Sequence, residues 1–258
     1  MENLFDLTGK VALITGSSKG IGKAVAEEMA RHGAQVVISS RKSDVCQQVT
    51  DGINQELDGH SGGAISIPAH VGRKEELRSL VDETHEKLGE IDILVCNAAV
   101  NPYYGPMKDM PDEAFDKILS VNIQSNHWLA QMVLPEMVKR SDGSVMIVSS
   151  VGGLRGSEAL GAYCISKAAD LQLVRNLAVE YGPNNIRVNG ISPGLVRTDF
   201  ARALWENPQI LEARTVGDPL RRIGEPREIA GIAVYLASAA GSFTTGQNFV
   251  IDGGSTIC

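Results

Sequence analysis

Cysteine does not organise this 258-residue sequence. Its four cysteines, Cys46, Cys96, Cys164 and Cys258, are scattered, without a CxxC pair or a spacing that suggests a disulfide framework. That excludes a disulfide-stapled small fold and a cysteine-based zinc module. The five histidines (His32, His60, His70, His85, His127) show no HExxH or related spacing, so they read as solvated or hydrogen-bonded side chains and no metal is expected. Basic charge is short as well. With 24 Lys and Arg against 31 Asp and Glu, the formal net charge is -7, which argues against a nucleic-acid partner, since phosphates need a basic face. No apolar run approaches the roughly 20 residues that span a bilayer, so no membrane partner is expected. The opening Met1-Glu2-Asn3-Leu4-Phe5-Asp6 lacks the basic and apolar regions of a secretory signal, and a cytoplasmic location is the simplest expectation.

What the sequence does contain is an alternation of short apolar runs and helical patterns. The composition is 43% hydrophobic and 21% charged, and no domain boundary interrupts residues 1–258. Buried strands are expected at Lys10–Thr15, Gln35–Ser39, Ala64–Ile67, Ile91–Cys96, Val145–Val148, Ile186–Ile191 and Phe249–Ile251. Helices are expected between them, including about Ser43 to Leu57, Arg73 to Leu88, Pro111 to about Val138, a helix carrying Tyr163 and Lys167 to about Tyr181, and Glu225 to Ser238. This alternation predicts an α/β fold, a single doubly wound parallel sheet with helices on both faces. Ligands bind beyond the carboxyl ends of the strands in such sheets, which directs attention to Thr15-Gly16, Arg41, Asn97 and Ser150.

The first strand runs directly into Gly16-Ser17-Ser18-Lys19-Gly20-Ile21-Gly22 and then a helix. Glycines there admit close backbone approach, and the free N–H groups of the helix start attract an anion, so the turn reads as a nucleotide phosphate cradle. At the exit of the second strand, where an acid would bind a ribose 2′-hydroxyl, stand Ser40, Arg41 and Lys42. Arg41, with Lys19 as a second cation, favours NADP over NAD, although Arg41 and Lys42 also suit the solvated start of a helix. Tyr163 and Lys167 lie four residues apart and share a helix face. A phenol ionises near a pKa of about 10, and an adjacent ammonium is expected to lower that value toward the working range of a general acid–base catalyst. Ser150, at the end of the fifth strand, would hydrogen-bond the same substrate oxygen. Asn122, mid-helix, is either exposed or faces the site and holds a water in a proton relay. Tyr103 and Tyr104 form a surface turn or line a substrate pocket together with Leu154, Leu160 and Trp205. The segment from Leu195 to Leu220 is a substrate lid or a packed excursion. Cys164 reads as a small buried hydrophobe rather than a redox site.

Taken together, Thr15-Gly-x-x-x-Gly20-x-Gly22, Asn97-Ala98, Asn122, Ser150, Tyr163-x-x-x-Lys167, Pro193-Gly194 with Thr198, and Asp252-Gly253-Gly254 resemble the short-chain dehydrogenase/reductase family over nearly the whole chain. The resemblance implies a Rossmann fold of about seven strands in the order 3-2-1-4-5-6-7, and a homotetramer built through the Asn122 and Tyr163 helices. It implies a hydride transfer between NADP(H) and a small carbonyl or secondary alcohol. Tyr163 would be the acid or base, Lys167 its activator and ribose ligand, Ser150 the carbonyl-orienting group and Asn122 the end of a water relay. Cofactor contacts would come from Gly16, Ser18, Lys19, Gly20, Ile21, Gly22, Arg41, His70, Val71, Asn97, Ala98, Tyr163, Lys167, Pro193, Gly194, Val196 and Thr198. The closest likeness within the family is to its NADP-dependent carbonyl and retinal reductases. Two positions depart from the family pattern. Ala99 stands where a glycine is usual, and His70 stands where an aspartate near the adenine is usual. A 3-oxoacyl thioester reductase is an alternative that would need a basic entry surface. A non-catalytic NADP-sensing regulator is an alternative of another class, which would not require Ser150, Tyr163 and Lys167 together.

Overall fold

Each short run of β-branched and aliphatic residues becomes a strand buried on both faces, because a helix follows almost every strand and packs back across the sheet. The computed structural model describes residues 3–59 and 61–258; Met1 and Glu2 of the leading segment, and His60, lie outside the described residues. In chain order the elements are β1 (Val11–Thr15), α1 (Gly20–Arg31), β2 (Gln35–Ser39), α2 (Ser43–Glu56), β3 (Gly63–Ser66), α3 (Lys74–Leu88), β4 (Ile93–Cys96), α4 (Asp112–Leu119) and α5 (Ser125–Arg140). They continue with β5 (Gly143–Val148), α6 (Gly161–Tyr181), β6 (Ile186–Pro193), α7 (Pro208–Thr215), α8 (Pro226–Ala237) and β7 (Asn248–Ile251). The seven-stranded sheet has the expected order β3-β2-β1-β4-β5-β6-β7, and every neighbouring pair is parallel.

Period-two alternation sorts the strand residues into two cores. Ala12 and Ile14 of β1, Ile93 and Val95 of β4, and Met146 and Val148 of β5 face one layer, with side chains of α1, α2 and α8. Val11 and Leu13, Leu94 and Cys96, and Val145 and Ile147 face the other, with α3, α5 and α6. Leu94 is fully buried between them, and a side chain of its size contributes about 1.5–3 kcal/mol by leaving water.

Two elements differ from the sequence expectation. The helix read from Pro111 to about Val138 is α4 and α5 joined by a π-helical turn over Ser120–Gln124, and it runs on to Arg140. An extra residue in that turn frees backbone carbonyls from the regular ladder, and polar side chains then meet them. Strand β6 does not stop at Ile191 but continues through Ser192 and Pro193 beside β7. Proline is accepted there because it is the last residue of the strand, and the next donor, the Gly194 N–H, reaches the Ile251 carbonyl at 3.0 Å.

The carboxyl ends of β1 and β4 are tied together. Thr15 Oγ1 accepts the N–H groups of Asn97 at 3.0 Å and Ala98 at 3.1 Å, while Asn97 Nδ2 donates to the carbonyls of Thr15 at 2.9 Å and Gly16 at 3.2 Å. Gly22 lies under this knot, where a Cβ would stand 2.4 Å from Asn97 Nδ2 and 2.5 Å from the Gly16 carbonyl oxygen. Gly22→Ala is therefore expected to lower the unfolding free energy by about 1–3 kcal/mol, as overpacking against backbone does, and urea denaturation measures the loss.

Candidate active site

The turn after β1 presents the open start of α1. Gly16 and Gly20 have φ of +65° and +57°, a left-handed backbone that glycine adopts at little cost. Lys19 precedes the helix without capping it through its side chain, and no acid stands in the first turn. Free N–H groups, the helix dipole and the absence of a competing carboxylate fit the phosphates of a dinucleotide. Ser18 and Ile21 flank this cradle, both partly exposed. The buried serine is instead Ser17, which had not been singled out: it donates to the Ile14 carbonyl at 2.7 Å and accepts the Ser39 N–H at 2.8 Å, fixing the turn against β2.

The remaining cofactor candidates lie around this turn at the carboxyl edge of the sheet. Arg41 and Lys42 are exposed at the exit of β2. Lys19 is also exposed, but its ammonium is 3.2 Å from Asp199 rather than free. His70 Nδ1 accepts the Gly72 N–H at 3.0 Å and its own N–H donates to Glu76 at 2.6 Å, so one ring nitrogen is spent on the loop before α3. Val71 is partly buried beside it. Gly194 follows the end of β6, Val196 is buried and bridges to Gly224, and Thr198 lies against Gly20, 3.1 Å from where a Cβ would sit.

The second half of the site is built on β5 and α6. Ser150 Oγ accepts the Gly152 N–H at 3.0 Å and lies within hydrogen-bonding reach of the Tyr163 phenol. Lys167 is almost wholly buried; its ammonium donates to the Val148 carbonyl at 2.8 Å and to Asp170 at 2.9 Å, and it stands 5.8 Å from the centre of the Tyr163 ring. Burial pushes the Tyr163 phenol above its ordinary value. The Lys167 charge and a hydrogen bond from Ser150 pull it down, and Asp170 adds to the rise. This corrects the expected acidified phenol. The cation acts in the anticipated direction, but desolvation outweighs it and the ammonium is already paired. Burial works to lower the Lys167 value, yet Asp170 and the phenol raise it overall and keep the group charged.

Asn122 is not exposed. It is fully buried in the π turn, and both its amide protons are used: Oδ1 accepts the Val100 N–H at 2.8 Å, while Nδ2 donates to the Val100 carbonyl at 3.1 Å and to Ser166 Oγ at 3.0 Å. Its side chain braces the loop after β4 against α6 and has no donor left for a water. Its main-chain carbonyl accepts Asn126 Nδ2 at 2.7 Å.

Of the substrate-pocket candidates, Tyr103 and Leu160 lie with Tyr163 around a gap too narrow to hold a water, joined by Asn101, Met107 and Met110. Tyr104 and Leu154 are exposed outside that lining. Trp205 is tied back to its own segment, its Nε1 donating to the Thr198 carbonyl at 2.9 Å under Arg197. Phe200, not anticipated, packs on Tyr163 with ring centroids 5.8 Å apart. Its only sequence signal is an aromatic residue two positions past Thr198. Cys164 is buried, as a small apolar residue would be. Among the described residues, no group of His, Cys, Asp and Glu is arranged to hold a metal ion, and no helix is long and apolar enough to cross a membrane.

Comparison with known proteins agrees with this geometry. Residues 16–256 match a family model described as enoyl-(acyl carrier protein) reductase. The chain is 44% identical to dehydrogenase/reductase SDR family member 4 of Bos taurus, over 96% of this chain and 88% of that protein. Among solved structures it resembles a 7α-hydroxysteroid dehydrogenase complexed with NADH and 7-oxo glycochenodeoxycholic acid, at 38% identity and a TM-score of 0.92 over 98% of each chain. It also resembles a gluconate 5-dehydrogenase from Burkholderia cenocepacia in complex with NADP and tartrate, at 29% identity and a TM-score of 0.93, covering 99% of this chain and 98% of that one. A parallel sheet with an open glycine turn, a serine, tyrosine and lysine gathered at its edge, and relatives matched end to end make this chain a member of the short-chain dehydrogenase/reductase family, oxidoreductases that move a hydride between a nicotinamide cofactor and a carbonyl or alcohol.

Proposed function

We propose that this protein is an NADP(H)-dependent carbonyl reductase, running in reverse as an alcohol dehydrogenase, with Tyr163 as its general acid and base. One observation carries the reading. Thr198 lies against Gly20 of the phosphate turn, and Phe200, two residues on, packs on Tyr163, so one short segment reaches from the turn to the phenol. When bound, the nicotinamide supplies the hydride to the carbonyl carbon or takes it back. Tyr163 gives its phenolic proton to the carbonyl oxygen as that oxygen gains charge. Ser150, with its acceptor side occupied by Gly152, donates a hydrogen bond to the same oxygen and orients it. Two of the three Lys167 protons are held by Val148 and Asp170, and the third serves the nicotinamide ribose. Asn122 acts here as a brace that keeps the loop at Val100 beside the site.

Preference for NADP rests on Arg41, exposed at the β2 exit where an acid would select NAD, with Lys19 available if it exchanges Asp199 for a phosphate. The segment 195–220 is the substrate lid in this reading, and the substrate is a ketone or aldehyde whose apolar part meets Met107, Leu160 and Phe200. Reduction of a 3-oxoacyl thioester is the second reading; the description of the matching family model shares the acyl-carrier thioester but names reduction of a carbon–carbon double bond. The exposed Ile165 and Val179 on α6 support assembly into a homotetramer, and four unpaired thiols support a cytoplasmic setting.

Tyr163→Phe is expected to lower turnover at least about 10²-fold while reduced cofactor still binds, as read by its fluorescence. A panel of ketones, aldehydes and 3-oxoacyl thioesters defines the substrate class in the same assay, and a Phe variant with unchanged rate defeats the role given to the phenol. Arg41→Ala is expected to weaken NADP(H) binding by about tenfold or more, the worth of one charge-assisted phosphate contact, and to leave NAD(H) binding unchanged. Titration with both cofactors checks it, and a wild-type protein that prefers NAD(H) refutes the assignment.

A further inference from the structure

Behind Lys167 lies a second charge that the chemistry above leaves unused. Asp170, one turn further along α6, has no exposed surface. Its Oδ2 accepts from Lys167 Nζ at 2.9 Å, and its Oδ1 accepts from Asn126 Nδ2 at 2.9 Å. Asn126 is itself buried and spends its other amide proton on the main-chain carbonyl of Asn122. Both oxygens of the carboxylate are thus met by donors from two helices; burial pushes this carboxyl above its ordinary value, while Lys167 and Asn126 pull it back toward the charged form.

The groups that face this pair are few. On α6 they are Tyr163 and Cys164. On β4 there is Cys96, whose thiol burial pushes far up and keeps neutral. The end of β5 offers the Val148 carbonyl and the hydroxyls of Ser149 and Ser150, and the π turn with α5 offers only the amides of Asn122 and Asn126. Lys167 and Asp170 are therefore the only fixed charges among these groups, and they sum to zero. Ionising the phenol beside a neutral pair creates a net buried charge. Ionising it beside a lone ammonium would remove one. Low-dielectric surroundings make the first process costly and the second favourable.

We propose that Asp170 is a positioning residue that anchors the Lys167 ammonium while offsetting part of its field at the phenol, so that Tyr163 rests protonated at neutral pH, poised to donate in carbonyl reduction, and acts as a base in alcohol oxidation only under alkaline conditions. Asp170 sets the resting protonation state; the equilibrium of the overall reaction is fixed by cofactor and substrate. The inference rests on the proposed role of Tyr163; burial is the main cause of the upward push on the phenol, and Asp170 adds to it.

Asp170→Asn keeps the shape and an acceptor for Lys167 but removes the charge, whereas Asp170→Glu keeps the charge. Ultraviolet difference titration against Tyr163→Phe, on the free enzyme and with NADP(H), reads ionisation of the phenol without requiring turnover. The expected result for Asp170→Asn is a midpoint displaced to lower pH by about one unit or more, that is about tenfold more phenolate at any pH below the midpoint, with the pH rise of the oxidative kcat displaced equally. Asp170→Glu should retain the wild-type midpoint even where its rate falls. If Asp170→Asn does not fold, Asp170→Ser provides the same comparison with the same expected direction. A midpoint that stays in place, or moves to higher pH, overturns the inference. Were Tyr163→Phe to keep its turnover, the general-acid role would fail, while the titration would still decide the charge balance.

Discussion

A buried ammonium has to be partnered, and the way Lys167 meets that demand holds the centre of this molecule together. Its two bonds reach the last carbonyl of β5 and a carboxylate on its own helix, and that carboxylate is held by an asparagine from α5. Removing any one partner leaves a charge or a donor stranded in the interior, which costs far more than the bond itself contributes. Three elements are thereby fixed to within hydrogen-bond tolerance around a single atom. The phenol and the serine are placed as a result, because both sit on the two elements whose ends the ammonium joins.

The sheet supplies the other half of the geometry. Parallel strands end on a common edge, and the turn after β1, the loop after β4 and the loop after β5 all open on that side. Thr15 and Asn97 knot the first two ends with four hydrogen bonds, so the glycine turn cannot drift relative to the loop that carries Val100. Asn122 then fastens that loop to α6. The glycine turn and the Tyr163–Lys167 pair are linked through hydrogen-bonded groups on the intervening loop rather than through packing alone.

Strand positions and their parallel pairing were legible in the sequence because short β-branched runs between helical patterns admit few arrangements. The pairing of Tyr163 with Lys167 was legible because a four-residue interval on a helix is a distance. What sequence spacing does not carry is the sign of a sum. The phenol's elevation depends on how deeply it is enclosed and on Asp170, and a lone aspartate in a helix ordinarily reads as a solvated residue. Asn122 was equivocal for the same reason, since the π turn that buries its amide has no periodic signature. Phe200 and Met107 reach the surroundings of Tyr163 from irregular segments, where side-chain direction follows no period at all.

The ion pair between Lys19 and Asp199 has a consequence of a different kind. Both side chains are more than half exposed, so this tie between the first glycine turn and the segment that follows β6 is weakened by dissolved salt. The enclosed ammonium and its carboxylate are shielded from the same ions. Raising ionic strength therefore loosens the rim of the site and leaves its floor untouched, so the two halves of one site respond to different features of the solution around them.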